Sequence, residues 1–465
     1  KAKWIIQYWQ GVPQDGAFSA MSSYGDRFIG LDLFADNIYA GNAAKWRDTG
    51  NACYFKGRPY IYCMLHNFGG RSGMHGRLET TMDGYFQALA KNNNCQGIGA
   101  TPEGTETNPI LYDMLFELPW MDVNNRPSAD EWLEDYAYSR YGIQNSTALS
   151  ALQNLKKSVW NCQRNQQGTS EAIILGRPRW TFGDAQRNDG TSLEGRSVSS
   201  WSVSSIYWDT QDVLLAADDL YSIKDLITTE DGRANFDYDF IEVVRQAMVD
   251  QASVLLPLIK AARNNGDTAE YERLYKMFLQ LMLDLDEMLS YDENFKLERW
   301  TSLARNIANE AAGTNDNDRN WLEWNARTQV TVWSNGNNGL NDYSNRCWAG
   351  LIKDFHYPRW KYFFENNGGV KDGNWFTSEK AWTVNFTDYD YSTVTIPGGK
   401  TATEKAAETF GKYFGRVKGA TKNYIFPMGI TTNATKCDVT PTVNRGQTVE
   451  LPLIIGKNVT ISSVW

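Results

Sequence analysis

"CQGIGATPEG", residues 95–104, begins as a strand and ends in a turn. Gly97, Ile98, Gly99 and Ala100 are small or apolar enough to pack tightly, and Thr101-Pro102-Glu103-Gly104 then stops the run and leaves a carboxylate at its mouth. Three similar runs precede it: "WIIQYW" (4–9), "FIGLDLFAD" (28–36) and "YIYCMLHNF" (60–68). Each is a short apolar segment that finishes on polar side chains. The spaces between them are long enough for helices, as in "MDGYFQALAKN" (82–92). Strands alternating with helices predict parallel βα units. In parallel barrels and doubly wound sheets, function gathers at the C-terminal strand ends. Here those ends carry Gln7, Trp9, Asp32, Asp36, His66, Asn67 and Glu103.

Past residue 127 the pattern becomes helical. Ser128 and Glu131 form a capping-box signature, and Gly142 follows the predicted helix end. Residues 235–266 predict a long helix with a kink at Pro257. Leu274, Phe278, Leu281, Leu285 and Met288 share one face of the next helix and read as core. Residues 127–415 are therefore expected to be an all-α-helical domain. The β-branched runs of residues 416–465 predict a small β-rich tail.

Composition narrows the function. The chain has 465 residues, a net charge of -9, and 22% charged residues. A nucleic-acid binder usually carries a basic face, so that class is not expected. No apolar run is long enough to span a membrane as a helix. Three histidines and six scattered cysteines show no metal-ligand spacing, and no phosphate-binding glycine motif is present, so neither metal nor cofactor is expected. Six cysteines permit disulfides, with the pairing undetermined. Asn145, Asn385, Asn433 and Asn458 head glycosylation sequons, which suits a lysosomal or secreted glycoprotein. The 18 Trp and 24 Tyr offer flat faces for sugar rings, although any one of them can equally be core.

Carboxylates, amides and aromatics at strand ends are the groups that glycoside cleavage uses. That reaction needs two carboxyl groups, about 5–5.5 Å apart for retention and further apart for inversion. Glu103 is the leading candidate; Asp32 and Asp36 are alternatives that could instead orient a sugar hydroxyl or cap a turn. The glycine-rich "HNFGGRSG" (66–73) is expected to bring His66, Asn67 and backbone amides toward a neutral polar ligand. A carbohydrate-binding or structural module without catalysis, and a hydrolase of another α-linked sugar, are the competing readings.

Longer blocks carry a resemblance. "LDLFAD", "YCMLHNFGG", "GATPEG", "NPILYDMLFELPW", "WLEDYAYSRYG" and "NARTQVTVWSNGNNGLNDYSNRCWAGLIKDFHYPRWKYF" occur in the order found in the family 89 glycoside hydrolases, the alpha-N-acetylglucosaminidases, which the chain resembles over about residues 1–415. The resemblance implies a (β/α)8 TIM barrel followed by an all-α domain. It implies retaining exo-hydrolysis of terminal α-linked N-acetylglucosamine, with heparan sulfate as the animal lysosomal substrate. It makes Glu103 the nucleophile, and places Trp9, Asp32, His66, Asn67, Trp333 and Tyr343 at the sugar, with Arg327 and Asp342 orienting the last segment by ion pairing. The family's general acid is a Glu in an Asn-Glu pair on an earlier barrel strand, and no such motif stands here. Residues 1–126 are thus expected to be the C-terminal half of the barrel, completed by an N-terminal fragment of the same precursor that brings the acid. A homo-oligomer is a further expectation.

Overall fold

The computed structural model describes residues 2–9, 20–39, 44–47, 55, 57–92, 94–163, 173–180, 182–186, 192–195, 207–311, 315–336 and 340–414. The expected β tail, Cys53, Cys437, Asn433 and Asn458 lie outside these residues.

Four parallel strands form one sheet in chain order: β1 (Trp4–Tyr8), β2 (Phe28–Asp32), β3 (Tyr60–Met64) and β4 (Cys95–Ala100). The order lacks the reversal that defines a doubly wound sheet. Tyr8 stands opposite Asp32, Asp32 opposite Tyr62, and Met64 opposite Ala100, so the four C-terminal ends lie along one rim. The run expected as strand through residue 36 stops at Asp32. Asp36 leaves the ladder because its carboxylate accepts from the Leu65 N–H at 2.9 Å and from Arg77 at 3.3 Å.

The two faces of the sheet differ. Tyr8, Phe28, Tyr60, Tyr62 and Met64 are buried in the main core with Leu78, Met82, Tyr85 and Phe86 of helix α1 (Leu78–Asn92). The opposite face, in register, holds Ile5, Ile29, Leu31 and Ile61. Ile5 is 63% exposed and the other three are half-buried. Among the described residues, the β3–β4 crossover carries the α-helix Leu78–Asn92. The described parts of the earlier two hold 3-10 turns at Ser22–Arg27 and Lys45–Arg47.

Helix α2 (Pro109–Glu117) leads into the helical part: α3 (Ala129–Tyr141), α4 (Ser146–Lys157), α5 (Thr210–Ile223), α6 (Glu230–Asn264), α7 (Thr268–Leu289), α8 (Leu297–Glu310), α9 (Asp316–Gln329), α10 (Tyr357–Glu365), α11 (Trp375–Thr383) and α12 (Ala402–Phe414). The capping box of α3 is present, with Ser128 and Glu131 bonded reciprocally and Gly142 at φ 69°. Helix α6 continues unbroken through Pro257, and the apolar face of α7 is buried as its spacing predicts. The region expected to be wholly helical also holds a short antiparallel pair, β5 (Phe182–Gln186) with β6 (Ser192–Gly195). A π turn, Ile352–His356, precedes α10. Pro358 lacks the N–H an α-helix would use there, which favours the wider turn.

Long helix α6 supports the strand-end loops from the side. The Tyr238 hydroxyl donates to the Glu106 carbonyl, and Gln246 Oε1 accepts from the Met74 N–H at 3.0 Å. Among the described residues, no helix is long and apolar enough to cross a membrane. Cys63 and Cys95 are separate buried thiols, so the expected disulfides find no support among the described residues. Burial pushes the Cys63 thiol up to about 12.

Candidate active site

The turn after β4 holds Glu103 against two other segments. Its Oε2 accepts from the Gly69 N–H at 2.6 Å and from the Tyr343 hydroxyl at 2.8 Å. Gly69 belongs to the loop after β3, and Tyr343 comes from the helical part, so one oxygen joins three distant stretches of chain. Charge-assisted bonds of this kind are short and directional.

Two glycines make the approach possible. Gly69 and Gly70 both lie in the left-handed region, at φ 66° and 62°. A Cβ on Gly69 would overlap the Tyr343 carbonyl, and one on Gly70 would lie 2.7 Å from the Glu103 carbonyl oxygen. The loop is also clamped from the helical side. Arg346 Nη1 donates to the Gly69 carbonyl at 2.8 Å, Ser344 Oγ donates to the same oxygen, and the Cys347 N–H donates to Ser72 Oγ at 2.6 Å. Burial pushes the Arg346 guanidinium down to about 10.

Tyr343 is fixed along its length. Buried Arg71 donates from Nε to the Tyr343 carbonyl at 2.8 Å and sits 5.3 Å from its ring centre. Trp333 meets the ring edge-on at 4.9 Å. Burial raises the Tyr343 phenol well above its ordinary range, and the Glu103 carboxylate adds to that. The hydroxyl therefore donates, and the carboxylate accepts. Beside it, Phe34, Leu65 and Phe68 form an apolar cluster separate from the main core, with Tyr343 packed against it. Trp9, 38% exposed, reaches the same cluster, 5.5 Å from Phe68 and 6.2 Å from Phe34. The mouth thus has an aromatic wall next to a carboxylate.

Asp32, His66 and Asn67 lie deeper. Asp32 has no exposed surface and accepts from the Trp46 N–H at 2.9 Å; burial pushes its carboxyl up to about 7. Asp36, equally buried, is pushed up to about 6 despite its pairing with Arg77. His66 is buried against His75 and Tyr112. Asn108 Oδ1 accepts from the His75 N–H and from Trp160 Nε1, so its Nδ2 is the donor to His66 Nε2 at 3.0 Å. His66 is consequently neutral with its proton on Nδ1, and burial pushes it down to about 3. Asn67 Nδ2 donates to the Arg71 carbonyl at 3.1 Å, while its buried Oδ1 meets no hydrogen-bond partner among the described residues.

Arg327 and Asp342 pair, but not with each other. Arg327 binds Glu323 one turn earlier in α9 and donates to the carbonyls of Trp382, Asn385 and Tyr389. Asp342 binds Arg359 at 3.2 Å. Of the described sequons, Asn145 caps α4 through Oδ1, and Asn385 Nδ2 donates to Asp388 at 2.9 Å. Sequence reasoning did not single out Phe34, Phe68, Gly69, Gly70, Arg71 or Arg346. The Gly-Gly-Arg run within "HNFGGRSG" is the one signal that could have pointed to part of this set.

Residues 1–122 match the model of the alpha-N-acetylglucosaminidase TIM-barrel domain, and residues 132–405 match that of its C-terminal domain. Human alpha-N-acetylglucosaminidase is 31% identical over 376 residues, 78% of this chain and 45% of that protein. The family 89 glycoside hydrolase from Clostridium perfringens, in complex with PUGNAc, superimposes with a TM-score of 0.74 at 30% identity, covering 87% of this chain and 44% of that one. The same enzyme in complex with its substrate GlcNAc-alpha-1,4-galactose gives the same score and coverage. The chain spans under half the length of these relatives.

Proposed function

Because the chain belongs to the alpha-N-acetylglucosaminidase family, family 89 of the glycoside hydrolases, we propose that it forms part of a retaining exo-glycosidase that removes terminal α-linked N-acetylglucosamine. The observation that carries this reading is the double anchoring of Glu103 Oε2 by Gly69 and Tyr343 at the strand mouth. With both bonds on Oε2, Oε1 is the oxygen left to attack. In the proposed reaction Glu103 attacks the anomeric carbon from the β face while a general acid protonates the leaving oxygen. The β-linked glycosyl-enzyme is then hydrolysed by water activated by that same second residue, with net retention.

Trp9, Trp333 and Tyr343 would wall the sugar, with Phe34 and Phe68 behind them. Asp32, His66 and Asn67, expected at the sugar, would shape its pocket from beneath, since each is buried. The acid/base would come from an N-terminal fragment of the same precursor. The uncovered apolar face of the sheet, with Ile5, Ile29, Leu31 and Ile61 in register, supports a further set of barrel strands, because closed barrels fill their interior with branched side chains. Heparan sulfate or glycoprotein glycans would be the natural substrates and a lysosomal or secreted location the setting, in keeping with the sequons. A homo-oligomer remains part of the proposal.

The test is release of p-nitrophenol from its α-N-acetylglucosaminide by this chain together with the preceding barrel half. Wild type should release it and Glu103→Gln should not. Equal release by both would remove Glu103 from the mechanism. Sugar binding without release by either would favour a non-catalytic module.

A further inference from the structure

Tyr343 reaches Glu103, and the residue before it is bonded into a separate cluster on the helical side. The preceding residue, Asp342, is wholly buried and stands at φ 57°, in the left-handed region that strains a residue bearing a side chain. Its N–H donates to the Thr331 carbonyl at 2.7 Å. Its carboxylate accepts from both Nη1 and Nη2 of Arg359 at 3.2 Å. Arg359, in α10, also donates to Glu379 of α11 at 2.8 Å, and Glu379 is held in turn by Arg177 at 2.7 Å. Two carboxylates and two guanidinium groups from four segments thus pair in one cluster, in which Asp342, Arg359 and Glu379 are buried and Arg177 is half-buried. Arg359 and Arg177 hold Glu379 below the usual carboxylate range, while burial pushes Asp342 upward.

We infer that Asp342 is a positioning residue for Glu103, its carboxylate locking to Arg359 the strained backbone that aims the Tyr343 hydroxyl. The inference rests on the reading of Glu103 as nucleophile. The lever is short and stiff. A rotation of about 10° at the Asp342–Tyr343 link carries the phenol oxygen by about 1 Å, a displacement that can cost a hundred-fold in rate. Arg71 fixes the Tyr343 carbonyl, but the direction of the chain entering Tyr343 is set at Asp342. An aspartate suits the place: it tolerates the left-handed conformation better than most residues and offers two oxygens to a guanidinium.

The experiment is a double-mutant cycle in the full-length protein, with Asp342→Asn, Tyr343→Phe and the pair. Asparagine keeps the shape and the backbone tolerance but removes the charge. Asp342→Asn should lower kcat at least tenfold on p-nitrophenyl α-N-acetylglucosaminide with KM within twofold. In the Tyr343→Phe background it should lower kcat no further. Losses that multiply would overturn the inference, because they would mean that Asp342 acts elsewhere. A second readout is independent of turnover. In protein carrying 13Cζ-tyrosine, the resonance that shifts on Glu103→Gln is assigned to Tyr343, and Asp342→Asn should shift the same resonance. An unmoved resonance overturns the inference whatever the activity. If the wild type releases no p-nitrophenol, the enzyme reading fails, and the resonance alone decides whether Asp342 aims Tyr343.

Discussion

Adding one methyl group at Gly69 tests the clamp around Glu103 most severely. At φ 66° an alanine adopts the left-handed conformation, at a cost of about 1–2 kcal/mol. Its Cβ would overlap the Tyr343 carbonyl oxygen and lie 2.9 Å from the carbonyl carbon and 3.1 Å from Ser344 Cα. These are backbone atoms and cannot swing aside, so overpacking adds about 1–3 kcal/mol. Gly69→Ala should therefore lose about 2–5 kcal/mol in all. The strain falls where Gly69 N–H meets Glu103 and where Ser344 and Arg346 hold the Gly69 carbonyl, so the loop and residues 343–346 must part. Urea unfolding followed by tryptophan fluorescence reads the loss as a lower midpoint. Gly411→Ala is the control: Gly411 lies inside α12 with open space around its missing Cβ, so alanine should gain about 1 kcal/mol from helix propensity. A Gly69→Ala protein that unfolds at the wild-type midpoint would refute the packing described here.

Two other consequences can be measured. Tyr343→Phe removes a hydrogen bond to a charged group, worth about 1.5–3 kcal/mol, and should lower kcat/KM about 10- to 100-fold on the p-nitrophenyl glycoside; an unchanged value would mean that the 2.8 Å contact does no catalytic work. Asp32 gives a pH dependence: burial raises its folded pKa from 3.8 to about 7, against the opposing pull of Lys45, so the folded state binds the proton more tightly than the unfolded chain. Its contribution is complete below about pH 4 and is lost as pH rises through 7, by an amount on the order of 4 kcal/mol. Asp32→Asn should flatten the fall in thermal midpoint between pH 4 and 7, and an identical fall in both proteins would contradict the assignment.

The elements that could be read from sequence are those whose signal is local. Short apolar runs placed all four strands, and Ser128, Glu131 and Gly142 marked the ends of α3. The apolar spacing of α7 gave its buried face. Errors arose where a distant partner overrides the local pattern. β2 stops at Asp32 because Asp36 is drawn to Leu65 and Arg77, 29 and 41 residues away. Asp342 and Arg359 are separated by a π turn, so no helical spacing announces their pairing. The site divides in the same way. Glu103 could be singled out because it ends a strand between Pro102 and Gly104. The resemblance placed Tyr343 at the sugar, but its bond to Glu103 and that of Gly69 were not legible, since these residues lie 240 and 34 positions away. His66 was visible as a strand-end residue, whereas its neutral state depends on Asn108 and burial.

The claim that Glu103 is the nucleophile of a retaining glycosidase is tested most directly by chemical rescue. Glu103→Ala, prepared with the preceding barrel half, should be inactive on p-nitrophenyl α-N-acetylglucosaminide alone. Added azide should occupy the space of the lost carboxylate, restore p-nitrophenol release and form the β-configured N-acetylglucosaminyl azide. A variant that retains wild-type turnover without azide, or whose rescued product is the α-azide, would contradict the account.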